Sequence, residues 1–325
     1  MRRVVITGLG AVSPHGLGAP ALWEALVAGK SSIGALQRFD PASFPSRVGG
    51  EVPPFKLASF VPKSYRKWLK IMARDIELAV VAADLAVRDA KVQTKGVVDP
   101  PVEEGASSTP WFKANPTRLG CNIGAGLISA DLTELTTALA QARGPGDELD
   151  MGRWGKSEDP ETKSGMENLT PLWLLKYLPN MLACHVSIIH DAQGPSNTIT
   201  CEQASAGLAL GEAARTIQRG HADMALVGGC ETKVHEMGLL RWTLLGRLNV
   251  TSNDAPARAF CPYDAAAAGS VIAEGGAVLV IEELEHALAR GATIYAEVAG
   301  LGSAANGAAA ASVVRSEERR GGEEC

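Results

Sequence analysis

The chain has 325 residues, of which 46% are hydrophobic, enough to bury one large α/β domain or two of ordinary size. Its formal net charge of −5 at pH 7 gives no general attraction to nucleic acid or to anionic membrane surfaces, and no apolar stretch is long enough to span a bilayer. The six cysteines are scattered without a CxxC pair in a chain too large to need disulfide staples. Reduced, mostly buried thiols and a cytoplasmic location are therefore expected.

Met1-Arg2-Arg3 and the apolar run after it have the look of a signal peptide, but Thr7, Gly8 and Gly10 break the run early. Arg3 to Thr7 instead reads as a first strand. Gly8-Leu9-Gly10 then begins a Gly-x-Gly-x-x-Ser pattern near the dinucleotide fingerprint. Ser13 stands where a third glycine or alanine belongs, and Pro14 falls where a phosphate-binding helix should start. A buried strand with a tight turn is the expectation, without a cofactor. Residues 20–29 read as helix.

Lys67 to Ala90 carries the clearest helical stripe, with Leu69, Met72, Ile76, Val80, Ala83 and Val87 at steps of three and four. Val92 to Arg118 and Gly144 to Asn168 have loop composition, and loops of that length are functional or disordered as a rule. Between them, Leu119 to Ile123 reads as a strand, followed by a glycine turn and a helical segment. Pro171 to His190 is apolar and predicts a buried helix or a pair of short ones. Its Cys184, His185 and His190 do not share one helical face, so core or hydrogen-bonded histidines are expected there rather than a metal site.

Gly194-Pro195 opens the stretch around which the chain is organised. Asn197 to Thr200 is a β-branched run that reads as a strand, and Ala204 to Ala209 are small residues suited to a closely packed helix. A strand turning sharply into a helix is a general way to expose a reactive side chain, because the helix N-terminus offers free N–H groups and partial positive charge. Cys201 and Gln203 compete for that position. The helix continues from Leu208 to Arg219 and is capped by Gly220. Met224 to Val227 predicts a short buried strand ending in Gly228-Gly229, Ala277 to Ile281 another, Glu282 to Arg290 a helix, and Ile294 to Val298 a last strand. This alternation indicates a layered α/β architecture. Asn306 to Ala311 is a run of alanine and glycine with one asparagine. Residues 315–325 are abruptly charge-dense and are expected to be a non-native tail.

Several landmarks lie in collinear order: Arg3-Val4-Val5-Ile6-Thr7-Gly8-Leu9-Gly10 with Ser13-Pro14, Phe39-Asp40, Asn180-Met181 with His185, and Gly194-Pro195. They continue with Gly220-His221-Ala222-Asp223, Gly228-Gly229-Cys230-Glu231, Pro262-Tyr263-Asp264, Gly269, Glu274-Gly275, and Leu279-Val280-Ile281-Glu282-Glu283 with His286-Ala287. Over residues 2 to 305 the chain thereby resembles the elongating β-ketoacyl-acyl-carrier-protein synthases of the thiolase-fold superfamily. The resemblance implies a layered α-β-α-β-α thiolase-like fold. Its N-terminal half would occupy residues 1–255, the start of a C-terminal half residues 256–312, and the charged tail residues 313–325. It also implies decarboxylative Claisen condensation in fatty acid or polyketide biosynthesis, acyl carrier protein as a partner, and a homodimer or heterodimer.

Three departures qualify that activity. In gap-free register from Gly194-Pro195 to Gly211-Glu212-Ala213-Ala214-Arg215, the family's nucleophilic cysteine falls on Gln203, and an amide cannot attack a thioester as a thiolate does. None of His15, His185, His190, His221, His235 or His286 occupies the family's two catalytic histidine motifs, which belong to the second half of the fold. The family's charged and aromatic segment is replaced by Ala265-Ala266-Ala267-Ala268-Gly269-Ser270. Glutamine at the nucleophile position is similar to the chain-length-factor subunits that pair with an active ketosynthase, which makes a non-condensing partner the leading expectation. Two alternatives stand beside it: a malonyl-carrier-protein decarboxylase in a full-length parent, and a ketosynthase acting through Cys201. The last requires a two-residue slip and places the nucleophile beside Glu202; a small buried cysteine is the expectation for Cys201.

Overall fold

The computed structural model describes residues 2–97, 111–155 and 163–304. Its centre is a mixed sheet of β1 (Val4–Ser13), β2 (Leu119–Gly124), β3 (Ser196–Ile199), β4 (Met224–Thr232), β5 (Ile272–Glu283) and β6 (Ala296–Glu297). The spatial order is β6-β1-β5-β4-β2-β3, and three short strands extend it to nine. β5 runs antiparallel to both neighbours, pairing Leu9 with Leu279 and Met224 with Glu282. β2 is parallel to β4 and β3, pairing Leu119 with Met224 and Cys121 with Ser196.

The helices are α1 (Ala19–Val27), α2 (Arg74–Asp89), α3 (Leu132–Gln141), α4 (Met181–His190), α5 (Ser205–Gln218), α6 (Glu236–Leu244) and α7 (Leu284–Ala289). Successive side chains of a strand point to opposite faces, and β4 shows how the layers form. Met224 and Leu226 join a core with α2 and α4, while Ala225 and Val227 join a second core with Ala209, Ala213, Ala214 and Ile217 of α5. The sheet is thus sandwiched between α2 with α4 and α5. Gly207 on α5 is exposed and Leu208 only partly buried, so the helix keeps a free side beyond the sheet. Among the described residues, no helix is long and apolar enough to cross a membrane.

Several expected elements change extent for tertiary reasons. β1 does not turn at Gly8-Leu9-Gly10 but runs on to Ser13. A Cβ at Gly10 would lie 1.9 Å from the Ala82 carbonyl oxygen and one at Gly8 2.4 Å from that of Ala86. The glycines therefore admit the backbone of α2 rather than making a turn. β4 likewise continues through Gly228-Gly229, because a Cβ at Gly228 would meet the Ala277 oxygen at 1.9 Å across the sheet.

The helix expected over Lys67 to Ala90 is two elements, a 3₁₀ stretch Lys63–Ile71 and α2, separated by the extended residues Met72 and Ala73. The break follows from what holds the head of α2. The Arg74 guanidinium donates to Glu274 from Nε and Nη2, each at 3.0 Å, and lies 4.6 Å over the Phe55 ring. Asp75 accepts from the Thr232 N–H at 3.1 Å. Pinning that turn to the ends of β4 and β5 redirects the chain.

The two loop-like stretches hold short ordered pieces. In the first, Val92–Gln93 pairs in parallel with Phe112–Lys113. In the second, Asp150 caps a helical turn, Met151–Trp154, and Met166–Asn168 forms a 3₁₀ turn. Residues 98–110 and 156–162 lie outside the described residues, as do the alanine-glycine run from Asn306 and the 313–325 tail. The segment Pro171 to His190 is a pair of short helices, Trp173–Tyr177 and α4.

Candidate functional site

β3 ends at Ile199, and the chain reaches α5 through a single 3₁₀ turn, Glu202–Ala204. To make that turn so abruptly, Glu202 adopts a left-handed φ of 47°, a conformation that non-glycine residues hold only when their surroundings enforce it. Ser205 supplies part of the enforcement. Its buried hydroxyl accepts from the Cys201 N–H at 2.7 Å and donates to the Glu202 carbonyl at 2.6 Å. Lys233, just after β4, supplies the rest: its ammonium donates to Glu231 at 2.5 Å and lies 3.7 Å from the Glu202 carboxylate.

Below the turn, two glycines set the height of the helix. A Cβ at Gly124 would stand 2.4 Å from the Ala206 nitrogen, and one at Gly229 would stand 2.9 Å from the Ala206 Cβ. The head of α5 therefore rests directly on β2 and β4. Among the described residues no side chain at the N-cap bonds its first N–H groups, so the positive end of the helix stays available to an anion or a carbonyl oxygen.

Gln203 sits at this head, exposed, and its side chain makes no hydrogen bond among the described residues. With Cys201, Ala204, Leu208, Leu210 and Leu301, it lines an open cavity of about 740 Å³ along the outer side of α5. Cys201 departs from expectation: its thiol is exposed rather than buried. It follows β3 in the turn before α5, where the Ser205 hydroxyl holds its backbone N–H and the thiol lines the open cavity. Only Cys121 and Cys230 of the five described cysteines are buried, so the expectation of mostly buried thiols is not met. Burial pushes the Cys121 thiol up to about 12 and raises that of Cys230 further, leaving both inert.

None of the described histidines lines this cavity. His185 shares a 2.8 Å hydrogen bond with the Tyr65 hydroxyl and His190 a 2.9 Å bond with that of Thr94; burial depresses each to about 4. They are hydrogen-bonded core histidines, as expected. His235 Nδ1 accepts the Gly238 N–H at the start of α6, and His286 pairs with Glu282. Among the described residues no group of three His, Cys, Asp or Glu side chains could hold a metal ion. Lys233 was not visible in the sequence as part of the site; its only signal was its place shortly after Gly228-Gly229.

What this arrangement offers is the head of a helix resting on the sheet, an exposed amide at that head, and an open cavity beside it. The β-ketoacyl synthase N-terminal domain family matches residues 1–287. The chain belongs to the β-ketoacyl synthase family.

Two relatives illustrate the range within it. The 3-oxoacyl-[acyl-carrier-protein] synthase 2 of Coxiella burnetii is 33% identical over 302 residues, covering 93% of this chain and 63% of the relative. The tetracenomycin polyketide synthase ketoacyl synthase beta subunit of Streptomyces glaucescens is 35% identical over 298 residues, covering 91% and 62%. Among solved structures, a β-ketoacyl synthase from Burkholderia phymatum superposes with a TM-score of 0.73 at 28% identity, covering 95% of this chain and 66% of that one. The ishigamide ketosynthase/chain length factor does so with a TM-score of 0.66 at 27% identity, covering 92% and 62%. The fold is the thiolase-like α/β fold, and this chain spans just under two thirds of the length of these β-ketoacyl synthase relatives.

Proposed function

We propose that this β-ketoacyl synthase relative is a non-condensing, chain-length-factor-like subunit that pairs with a cysteine-bearing ketosynthase in fatty acid or polyketide biosynthesis. One observation carries the reading. The exposed residue at the head of α5, in a turn built to present a nucleophile, is Gln203. Its amide donates and accepts hydrogen bonds but has no ionisable atom with which to form a thioester. The names of the Streptomyces beta subunit and of the ishigamide ketosynthase/chain length factor support the same direction.

In this reading residues 1–255 are the N-terminal half of the fold, residues 256–312 begin its second half, and the free side of α5 is where that half packs. The partner ketosynthase docks beside β3, whose outer edge has no neighbouring strand among the described residues, and acyl carrier protein delivers the chain. Co-expression with a cysteine-bearing homologue tests this. The two chains should co-purify and acyl label should enter the homologue, whereas failure to associate with any such homologue would count against a partner role.

A second reading has an observation of its own. Cys201 is an exposed thiol on the wall of the same cavity as Gln203, which a ketosynthase acting through Cys201 would require. A thioester on Cys201 after incubation with acyl-carrier protein would favour that reading over the first.

A further inference from the structure

A second hollow, of about 290 Å³, lies where the heads of α2, α3 and α6 meet, and it shares no lining residue with the Gln203 cavity. Small-molecule sites begin at roughly this size, ~300 Å³. Met72, Val234 and Met237 give it an apolar wall. Three polar groups interrupt that wall. Asp75 is 4% exposed, and its Oδ1 accepts from the Thr232 N–H. Its Oδ2 has no hydrogen-bond partner among the described residues, yet it keeps accessible surface. His235 uses Nδ1 to accept the Gly238 N–H at the start of α6, so the neutral ring carries its proton on Nε2. That Nε2–H also keeps accessible surface and is unpaired among the described residues. The third group is the Glu236 carboxylate, which makes no hydrogen bond or ion pair among the described residues.

The charges around these groups are already answered. Arg38 and Arg74 pair with Glu274, and Lys176 pairs with Glu134. The heads of α2, α3 and α6 each carry an acid in the first turn, which offsets their positive ends. An anion would therefore meet Glu236 and Asp131 with every lining cation among the described residues committed elsewhere. An organic cation would meet the His235 N–H and the side chains of Arg38, Arg74 and Lys176. What stays unmatched is two acceptors, Asp75 Oδ2 and Glu236, and one donor, His235 Nε2–H. Buried polar groups are paired as a rule, so the occupant should present the complement. A primary carboxamide does so, with two N–H donors and one carbonyl acceptor on a single plane and no net charge. The two methionines suit an aromatic body behind that head.

We infer that the hollow between Asp75, His235 and Glu236 binds a small neutral molecule through a primary carboxamide, whose N–H groups donate to the two carboxylates and whose oxygen accepts from His235. The site is independent of the α5 turn and of the chain's proposed role.

Benzamide, benzoate and benzylamine, one ring with three different heads, are titrated into the whole chain by calorimetry. The titrations are run at pH 8, above the value of about 7 to which burial pushes the Asp75 carboxyl. Histidine-labelled protein is followed by ¹⁵N spectra in parallel. The expected result is saturable benzamide binding with a shift of the His235 Nε2 resonance, and benzoate and benzylamine binding at least about tenfold more weakly. Asp75→Asn keeps an acceptor for Thr232 but turns an amide donor toward the hollow. His235→Asn keeps a capping side chain for α6 while withdrawing the ring donor. Each should weaken benzamide about tenfold or more, as expected when a buried hydrogen bond is left unmade. The three-ligand series on the unchanged protein decides the matter even if a variant fails to fold. No saturable benzamide binding, an unmoved His235 resonance, benzoate or benzylamine binding as tightly, or unchanged benzamide affinity in either folded variant would overturn the inference.

Discussion

Gly124→Ala is the substitution that most directly probes how the α5 turn is held. Its Cβ would lie 2.4 Å from the Ala206 nitrogen and from the Ser205 carbonyl carbon, both backbone atoms that no rotamer change can move aside. That is ~1 Å inside ordinary van der Waals contact, so the head of α5 must lift off β2 by a comparable distance. Overpacking of this kind costs about 1–3 kcal/mol, which for a chain of this size lowers the melting temperature by roughly 1–5 °C. Gly207→Ala is the matched control. It lies in α5, exposed, with nothing within 4 Å of the added atom, so it should gain about 0.5–1 kcal/mol from reduced chain entropy. Calorimetry of the two variants, with the rate of Cys201 alkylation as a readout of turn geometry, checks both. If Gly124→Ala melts with the unchanged protein and alkylates at the same rate, the helix head does not rest on the strand end as described.

Two further predictions concern protons. Asp75 is buried, and burial with Glu231 nearby pushes its carboxyl up to about 7 against the pull of the Thr232 N–H. The folded state therefore holds a proton there that the unfolded chain releases near pH 4, so this group's contribution to stability falls as pH rises from about 4 to 7. Asp75→Asn keeps an acceptor for Thr232 and should flatten that slope, leaving the variant the more stable protein at pH 8, with a ceiling of roughly 4 kcal/mol; denaturant titrations at pH 5 and pH 8 decide it. His286 is raised by its 2.5 Å hydrogen bond to Glu282. Its stabilisation is complete below about pH 6.5 and lost as pH rises through the higher folded value. His286→Gln should remove that part of the decline, seen as a smaller fall in melting temperature between pH 6 and pH 9 than in the unchanged protein.

Much of the architecture was legible because the run 224–227 is a fully buried strand and 119–123 and 277–281 are largely apolar strand segments, and a buried strand shows itself as a hydrophobic run. The paths of β1 and β4 were not, because Gly8, Gly10 and Gly228 are locally indistinguishable from turn glycines. What decides their role is the backbone of α2 or β5 arriving from distant sequence. The same applies to Arg74 and Glu274, which meet across 200 positions to end a helix that periodicity alone carries on from Lys67. At the site, the strand-to-helix turn was legible from the change at Thr200 to small residues, and the register on Gln203 came from the resemblance. The exposure of Cys201, the left-handed Glu202 and the support from Lys233 depend on side chains that only the folded turn brings together.

The central claim is that the head of α5 presents an amide and not a nucleophile. Intact-mass and peptide mapping of this chain, purified with a cysteine-bearing homologue and incubated with acyl-loaded carrier protein, tests it most directly. Acyl label should appear on the homologue and not on this chain; a thioester found on Cys201 would contradict the claim.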